Sequence, residues 1–396
     1  MTPPAGSAVP TGPAGSAVPT GPAGSAVPTG PAGSAGDRGV WFAPGRANLM
    51  GEHTDYNDGF VLPFALAQGT TATAVRRSDG VLSLTSRQQP GPAVEFALDG
   101  LAPGAGRRDW TAYPAGVAWA LREAGCDVPG ATIAIDSDVP AGAGLSSSAA
   151  LECAVALALT GLAGLDLPRG ELAAIARRAE NEFVGVPSGI MDQSASLLCQ
   201  EGHALLLDCQ SLETTQVPCG ADLLVINTNA RHELTTGDYG ARRTECEEAA
   251  RLLSVPTLRL ITDCGVTAEI PDRTLRKRAR HVCTDNQRVL RAVDLLRSGS
   301  YEGVGELLTE AHASLRDDFE ISWPEADVAV DAALSAGALG ARMIGGGFGG
   351  SVLAMIPAGD AAAPVREAVT KAFAARDWTP ADCYAAIPSP GARRLS

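Results

Sequence analysis

Between Ala131 and Leu165 the chain passes from a strand-like run, Ala131-Thr132-Ile133-Ala134-Ile135, through a turn rich in glycine and serine into its longest apolar stretch. A buried strand that feeds a buried helix needs a sheet on one side and other helices around it, so this segment restricts the fold to mixed α and β layers. The apolar run from Ala149 to Leu165 carries Glu152 and is short for a membrane span, which makes it a core helix. Strand patterns at Val40-Trp41-Phe42-Ala43, Val61-Leu62-Pro63-Phe64-Ala65, Thr70 to Val75 and Val81 to Thr85 precede it, with helical periodicity from Tyr113 to Glu123. After it, a helix from Glu171 puts Leu172, Ile175, Ala179 and Phe183 on one face and is expected to stop at Pro187. A strand at Asp222 to Asn227, several helices rich in Arg and Glu, and a strand-loop-strand around Gly345 complete an α+β architecture of two domains meeting at a cleft.

With 396 residues, 45% of them hydrophobic, the chain is long enough for two domains. Its formal net charge of -14 argues against nucleic acid and anionic membranes as partners. A nucleotide would have to be held by local devices: a helix N-terminus, backbone amides, a metal and a few arginines. The nine cysteines are odd in number, scattered and without a C-x-x-C pair, so they read as reduced thiols of a cytoplasmic protein. The N-terminus lacks the basic start and apolar core of a secretory signal. From Pro4 to about Gly36 the unit Pro-Ala-Gly-Ser-Ala-Val-Pro-Thr-Gly repeats; with too little apolar surface to fold, residues 1–36 are expected to form a disordered tail.

Three segments carry chemistry. Gly45 to Asn57 gathers Arg46, Glu52, His53, Asp55 and two amides among small and apolar residues, a density of polar groups suited to a polyhydroxylated ligand. Asp138-Val139-Pro140-Ala141-Gly142-Ala143-Gly144-Leu145-Ser146-Ser147-Ser148 opens the apolar helix, so its free N–H groups and the helix dipole face an anion; a redundant serine cap is the plainer alternative. It is not a Walker loop, because neither lysine, Lys277 or Lys371, lies near it, and a dinucleotide fingerprint is a weaker rival because Ser147 stands at the third glycine position. Gly185 to Gln193 places Asp192 in the first turn of a helix, where the dipole favours its ionised form. Gly345-Gly346-Gly347-Phe348-Gly349-Gly350 precedes a strand, which excludes a dinucleotide site there and leaves a tight hairpin as one reading.

Taken with Val61-Leu62-Pro63, the Gly45 to Asn57 segment closely resembles the signature of the galactokinases, a branch of the GHMP family of sugar and metabolite kinases. The run from Pro140 to Ala149 resembles that family's phosphate-binding motif, and Arg342-Met343-Ile344 with the glycine hairpin resembles its third motif. Asn227 to Arg243, including Tyr239, and Trp110-Thr111-Ala112-Tyr113 resemble segments that border the sugar and pack on adenine. The likeness extends from about Asp37 to the C-terminus. It departs at Met50, Asp58, Ser188, Ile344 and Ser351, none of which removes a charged catalytic group.

The resemblance implies an N-terminal domain like domain 2 of ribosomal protein S5 over residues 37–205, a ferredoxin-like domain over 206–396, and an active site between them. It implies phosphoryl transfer from ATP with Mg²⁺ to the anomeric hydroxyl of galactose, in a monomer acting on small molecules. Asp192 would be the catalytic carboxylate, either a full base or mainly an electrostatic orienter of the attacking hydroxyl, with Arg46 offsetting charge near the transferred group. Glu52, His53, Asp55, Gly189, Asp192 and Tyr239 would meet the sugar, with Asp55 aimed at its C4 hydroxyl. Trp110 and the loop from Gly142 through Ala143, Gly144, Leu145, Ser146 and Ser147 to Ser148 would hold the nucleotide, and Ser148 with Glu180 the metal. Glu182 reads as an exposed decoy, and His203, His281 and His312 as structural or surface residues. A sibling kinase for N-acetylgalactosamine or L-arabinose and an inactive galactose sensor are the alternatives; the intact Ser148-Ala149 speaks against the sensor.

Overall fold

The computed structural model describes residues 36–104, 109–140, 142–230, 236–359 and 362–396. The tail expected over residues 1–36 therefore lies, but for its last residue, outside the described residues. Strands β1 (Arg38–Asn48), β2 (Phe60–Val61), β3 (Pro63–Arg77), β4 (Val81–Ser86), β5 (Val94–Ala97) and β6 (Gly130–Ser137) belong to the first half, with helices α1 (Ala112–Glu123), α2 (Ser147–Ala163), α3 (Arg169–Arg178) and α4 (Met191–Leu198). The second half holds β7 (His203–Asp208), β8 (Thr214–Pro218), β9 (Asp222–Asn227), β10 (Gly340–Ile344), β11 (Ser351–Ile356), β12 (Asp382–Ala386) and β13 (Arg393–Arg394). Its helices are α5 (Thr236–Leu252), α6 (Arg273–Ser298), α7 (Tyr301–Ser314), α8 (Pro324–Ser335) and α9 (Ala362–Ala374).

A mixed sheet in the order β13-β1-β3-β6-β4-β5 carries α2 on its face, and the chain's last strand returns to its edge. The second half is built on an antiparallel sheet, β10-β11-β9-β12, and a small sheet β2-β7-β8 links the two halves. β7 runs across residues 205 and 206, where the expected domain boundary falls. A shared core of Leu49, Phe64, Leu145, Val225, Ile344 and Leu353 joins both halves, so the cleft walls are fixed to one another by apolar packing. Most side chains of α2 are buried, as its largely apolar composition requires.

Three details differ from expectation. β1 does not stop at Ala43 but runs to Asn48, so Arg46 is a strand residue; a register shift between Pro44 and Arg46 lets the polar signature stay in the sheet. Leu62 divides the Val61 to Ala65 run between two sheets. The helix after α2 begins at Arg169, widens into a π segment over Ala179–Val184 and ends at Gly185, whose φ of 90° only glycine adopts without strain, before Pro187 is reached. The cysteines are a correction: Cys264 and Cys283 form a disulfide, while the other seven are free. Folding brings their Cα atoms to 5.7 Å, inside the reach of a bridge, although they are 19 residues apart with no pairing motif between them. Among the described residues no helix is long and apolar enough to cross a membrane.

Candidate active site

Two glycine turns from opposite halves meet backbone to backbone. A Cβ on Gly345 would lie 3.0 Å from the Gly144 carbonyl oxygen, so this approach requires glycine. Gly142 and Gly144 take φ of 72° and 73°, and Ser146, at φ 58°, is a non-glycine residue held in the left-handed region. Strain of this kind persists where the surroundings impose it. Here the Arg46 N–H donates to the Leu145 carbonyl, Ser351 Oγ donates to the Ala143 carbonyl at 2.8 Å, and Arg46 Nη1 donates to the Gly144 carbonyl at 2.6 Å. The loop carbonyls point inward to the protein, and Ser147 and Ser148 begin α2 beside a cavity of about 230 Å³ also lined by Trp110, Tyr113, Ser137 and Gln88.

The second cavity, about 290 Å³, is lined by Arg46, Glu52, His53, Asp55, Glu180, Gly189, Asp192 and Tyr239, together with Gly345 and Gly346 from the other half. Every residue proposed for the sugar therefore converges on one space. Arg46 is 5% exposed and pairs with Asp192 through Nε at 2.8 Å and Nη2 at 3.0 Å, a bidentate geometry across 146 residues of sequence. The Ser146 hydroxyl also donates to Asp192 Oδ2, tying the phosphate loop to the same carboxylate. Of the three loop serines, Ser146 bonds Asp192 at the larger cavity, and Ser147 and Ser148 line the smaller one.

Glu52 is fully enclosed. Its Oε1 accepts from the Gly345 N–H at 2.8 Å and pairs with Arg342 at 2.9 Å, yet burial still raises its pKa. Burial pushes the His53 pKa down to about 3, so the ring is neutral. Its Nε2 lies 3.1 Å from the Gly346 carbonyl oxygen and must donate, which leaves Nδ1 to accept from the Tyr56 hydroxyl at 2.8 Å. Asp55 accepts the Tyr56 N–H at 2.9 Å; burial and the neighbouring Asp192 charge push its pKa up to about 7. Gly189 abuts it so closely that a Cβ there would fall 1.9 Å from Asp55 Oδ2.

Glu180 Oε2 accepts from Ser188 Oγ at 2.6 Å and Gln193 Nε2 at 2.8 Å, and the Ser148 hydroxyl also bonds the carboxyl. Burial raises its pKa, and no arginine or lysine pairs with it among the described residues. Glu182 is exposed and pairs with Arg178, as expected of a surface carboxylate. The Asn227 to Arg243 segment is described only in part, since Arg231 and His232 lie outside the described residues. His281 is buried between Ser314 and the Glu52 carbonyl, His312 sits against Asp327, and His203 caps a nearby turn. Sequence reasoning did not find the roles of Arg342, Tyr56, Glu152 or Gln193. Glu152 had left a signal, a single acid inside the longest apolar run.

The same two-half arrangement is found in solved GHMP kinases. Mevalonate kinase from Methanococcus jannaschii, 17% identical, superposes with a TM-score of 0.63 over 91% of this chain and 100% of that one, a likeness of fold. Family profiles for the GHMP kinases N terminal domain and the GHMP kinases C terminal match residues 112–200 and 292–375, which makes the class that of the GHMP kinases. A third profile, the galactokinase galactose-binding signature, matches residues 32–76. Galactokinase from Streptomyces coelicolor is 50% identical over 366 residues, covering 90% of this chain and 94% of its own; that of Mycobacterium tuberculosis strain H37Rv is 44% identical, covering 83% and 92%. The structure of Lactococcus lactis galactokinase complexed with galactose, 36% identical, gives a TM-score of 0.86 and covers 90% of this chain and 95% of that one. The chain belongs to the galactokinase family.

Proposed function

We propose that the chain transfers the terminal phosphoryl group of ATP to the anomeric hydroxyl of α-D-galactose, giving galactose 1-phosphate. The observation that carries this reading is the Arg46–Asp192 pair, set where the charged sugar cavity adjoins the serine-lined start of α2. Phosphoryl transfer depends chiefly on alignment and charge neutralisation. Asp192 would accept a hydrogen bond from the attacking hydroxyl and direct it at phosphorus. Because Arg46 and Ser146 already share its negative charge, its part is more to orient that hydroxyl than to strip its proton before transfer. Asp55, partly buried and hydrogen-bonded only along one edge, would accept from the C4 hydroxyl, Glu52 would offer its second oxygen, and Tyr239 and the neutral His53 ring would wall the pocket.

The chemistry of the donors fits a divalent cation. Glu180 and Ser148 supply hard oxygen atoms, and a buried carboxyl with no cationic side chain beside it is the group a metal would compensate. Among the described residues there is no cluster of three His, Cys, Asp or Glu suited to a metal. Mg²⁺ needs none, since it keeps waters and substrate phosphates as ligands. Bound there, it would neutralise phosphate charge. Use of ATP supports a cytoplasmic place of action, and the acidic surface supports a monomer that ignores nucleic acid and anionic membranes.

The test is an ADP-release assay over galactose, glucose, N-acetylgalactosamine and L-arabinose. A fixed acceptor matched to an axial hydroxyl can reject the wrong epimer by roughly 10⁴-fold in kcat/KM. Comparable rates on galactose and glucose would overturn the assignment of Asp55, and absence of turnover with every sugar would overturn the activity.

A further inference from the structure

Behind the cation-facing carboxyl lies a second acid that no step of the proposed reaction uses. Glu152 is one helical turn after Ser148 on α2, is 0% exposed, and is surrounded by the apolar side chains of the first core. Its Oε2 accepts from Gln193 Nε2 at 2.9 Å; its Oε1 has no partner. The other N–H of that amide goes to Glu180 Oε2 at 2.8 Å, and Gln193 Oε1 is also without a partner. A single buried amide nitrogen thus spends both hydrogens on two carboxyl groups from different helical segments. Burial, with the charges of Glu180 and Asp192 nearby, raises the Glu152 carboxyl well above its usual range.

An apolar residue of the same volume would avoid the cost of an unpartnered buried oxygen and pack equally well against this core. What it could not do is accept from Gln193. We propose that Glu152 is a positioning residue for the cation site: by fixing the Gln193 amide it fixes the orientation of Glu180 beside the Ser148 hydroxyl. This rests on the reading of Glu180 and Ser148 as the residues that hold the cation. Groups that orient a metal-binding side chain typically account for roughly 10- to 100-fold in metal affinity.

The experiment measures binding of Mn²⁺, as a paramagnetic probe, to the full chain with ADP by electron paramagnetic resonance, alongside the melting temperature and the galactose KM. Glu152→Leu is expected to weaken Mn²⁺ binding by about tenfold or more, with an unchanged or raised melting temperature and an unchanged galactose KM. Glu152→Gln keeps an acceptor oxygen of the same reach for the Gln193 amide and should restore wild-type binding. Gln193→Met breaks the same chain from its middle and keeps the proposal open to test if the leucine variant does not fold; it should lose Mn²⁺ affinity to the same degree, and the double variant should be no worse than either single one. Wild-type affinity in Glu152→Leu, or a Glu152→Gln variant as impaired as Glu152→Leu, would overturn the proposal. If the wild-type protein with ADP binds no Mn²⁺, it is instead the reading of the cation site that fails.

Discussion

The two cavities of the cleft are close in size, about 290 and 230 Å³, and opposite in character. The one assigned to the neutral sugar is lined by Arg46, Glu52, Asp55, Glu180 and Asp192; the one assigned to the polyanionic nucleotide has no charged lining residue among the described residues. The inversion has a physical basis. A hydroxyl is distinguished from its epimer by a fixed acceptor whose charge strengthens the hydrogen bond and whose desolvation is wasted on the wrong ligand. On the proposed assignment a phosphate chain would be held by many weak dipoles, the N–H groups and hydroxyls at the start of α2, which suit any nucleoside triphosphate pose that brings the terminal group to the junction. Selectivity would then reside on the sugar side, and nucleotide affinity would be spread over a wall that is uncharged among the described residues.

The largest effect should come at the junction. Asp192→Asn removes charge while keeping size, and kcat should fall by roughly 10³-fold or more with the galactose KM within about tenfold. Steady-state kinetics with both substrates varied would show it, and a rate near that of the unaltered enzyme would detach Asp192 from the chemistry. Next comes Gly189→Ala. Its Cβ would lie 1.9 Å from Asp55 Oδ2, so Asp55 has to move. A displaced contact of this size costs roughly 10²-fold in kcat/KM for galactose, with the ATP KM unaffected. An equal rise in both Michaelis constants would mean that the two cavities are not separable.

Asp55→Asn sharpens the comparison through stability. In the unfolded chain Asp55 releases its proton near 3.8, but in the folded chain only at about 7. Its contribution is therefore unimpaired below the lower value and is lost as pH rises from about 4 to 7, because across that window the folded state holds a proton that the unfolded state has released. The asparagine variant has no such group. Relative to wild type it should gain on the order of 2 kcal/mol between pH 5 and pH 8, measured by urea denaturation without ligands, while losing most of its galactose turnover. A pH-independent difference would show that Asp55 is not strained by burial.

The contrast was only half legible beforehand. Motif residues such as Glu52, Asp55 and Asp192 could be named as candidates because each motif is short and continuous enough for its resemblance to a family signature to be seen, and the strand-turn-helix at Ala131 to Ala163 declared itself through periodicity. What could not be read were contacts across long separations. The Arg46–Asp192 pair, the capture of Glu52 by Arg342, and the Cys264–Cys283 bond each join residues that only the packed sheets bring together. The extension of β1 through Arg46 was hidden for a related reason: alternation fails where both faces of a strand are buried, as they are from Ala43 to Asn48. Even the uncharged lining of the smaller cavity, as far as the described residues go, needed the fold, since Thr70, Gln88, Trp110 and Ser137 come from four separate segments.

The smallest expected change tests that neutral wall. Trp110 lies partly buried against the first core and contributes one aromatic face to the nucleotide cavity, held by the turn in which Thr111 bonds Asp109. Stacking of a base on an aromatic side chain is worth roughly 1 to 3 kcal/mol by alanine substitution. Trp110→Ala should therefore raise the ATP KM by about tenfold, and Trp110→Phe, which keeps a ring, by much less. Because the residue does not line the proposed sugar cavity, kcat and the galactose KM should stay within about twofold. Initial-rate measurements with ATP and galactose varied independently decide the matter. A galactose KM that rises in step with that for ATP would mean that the wall acts on the whole cleft, and the division between a charged sugar side and a neutral nucleotide side would then describe only the lining and not the energetics.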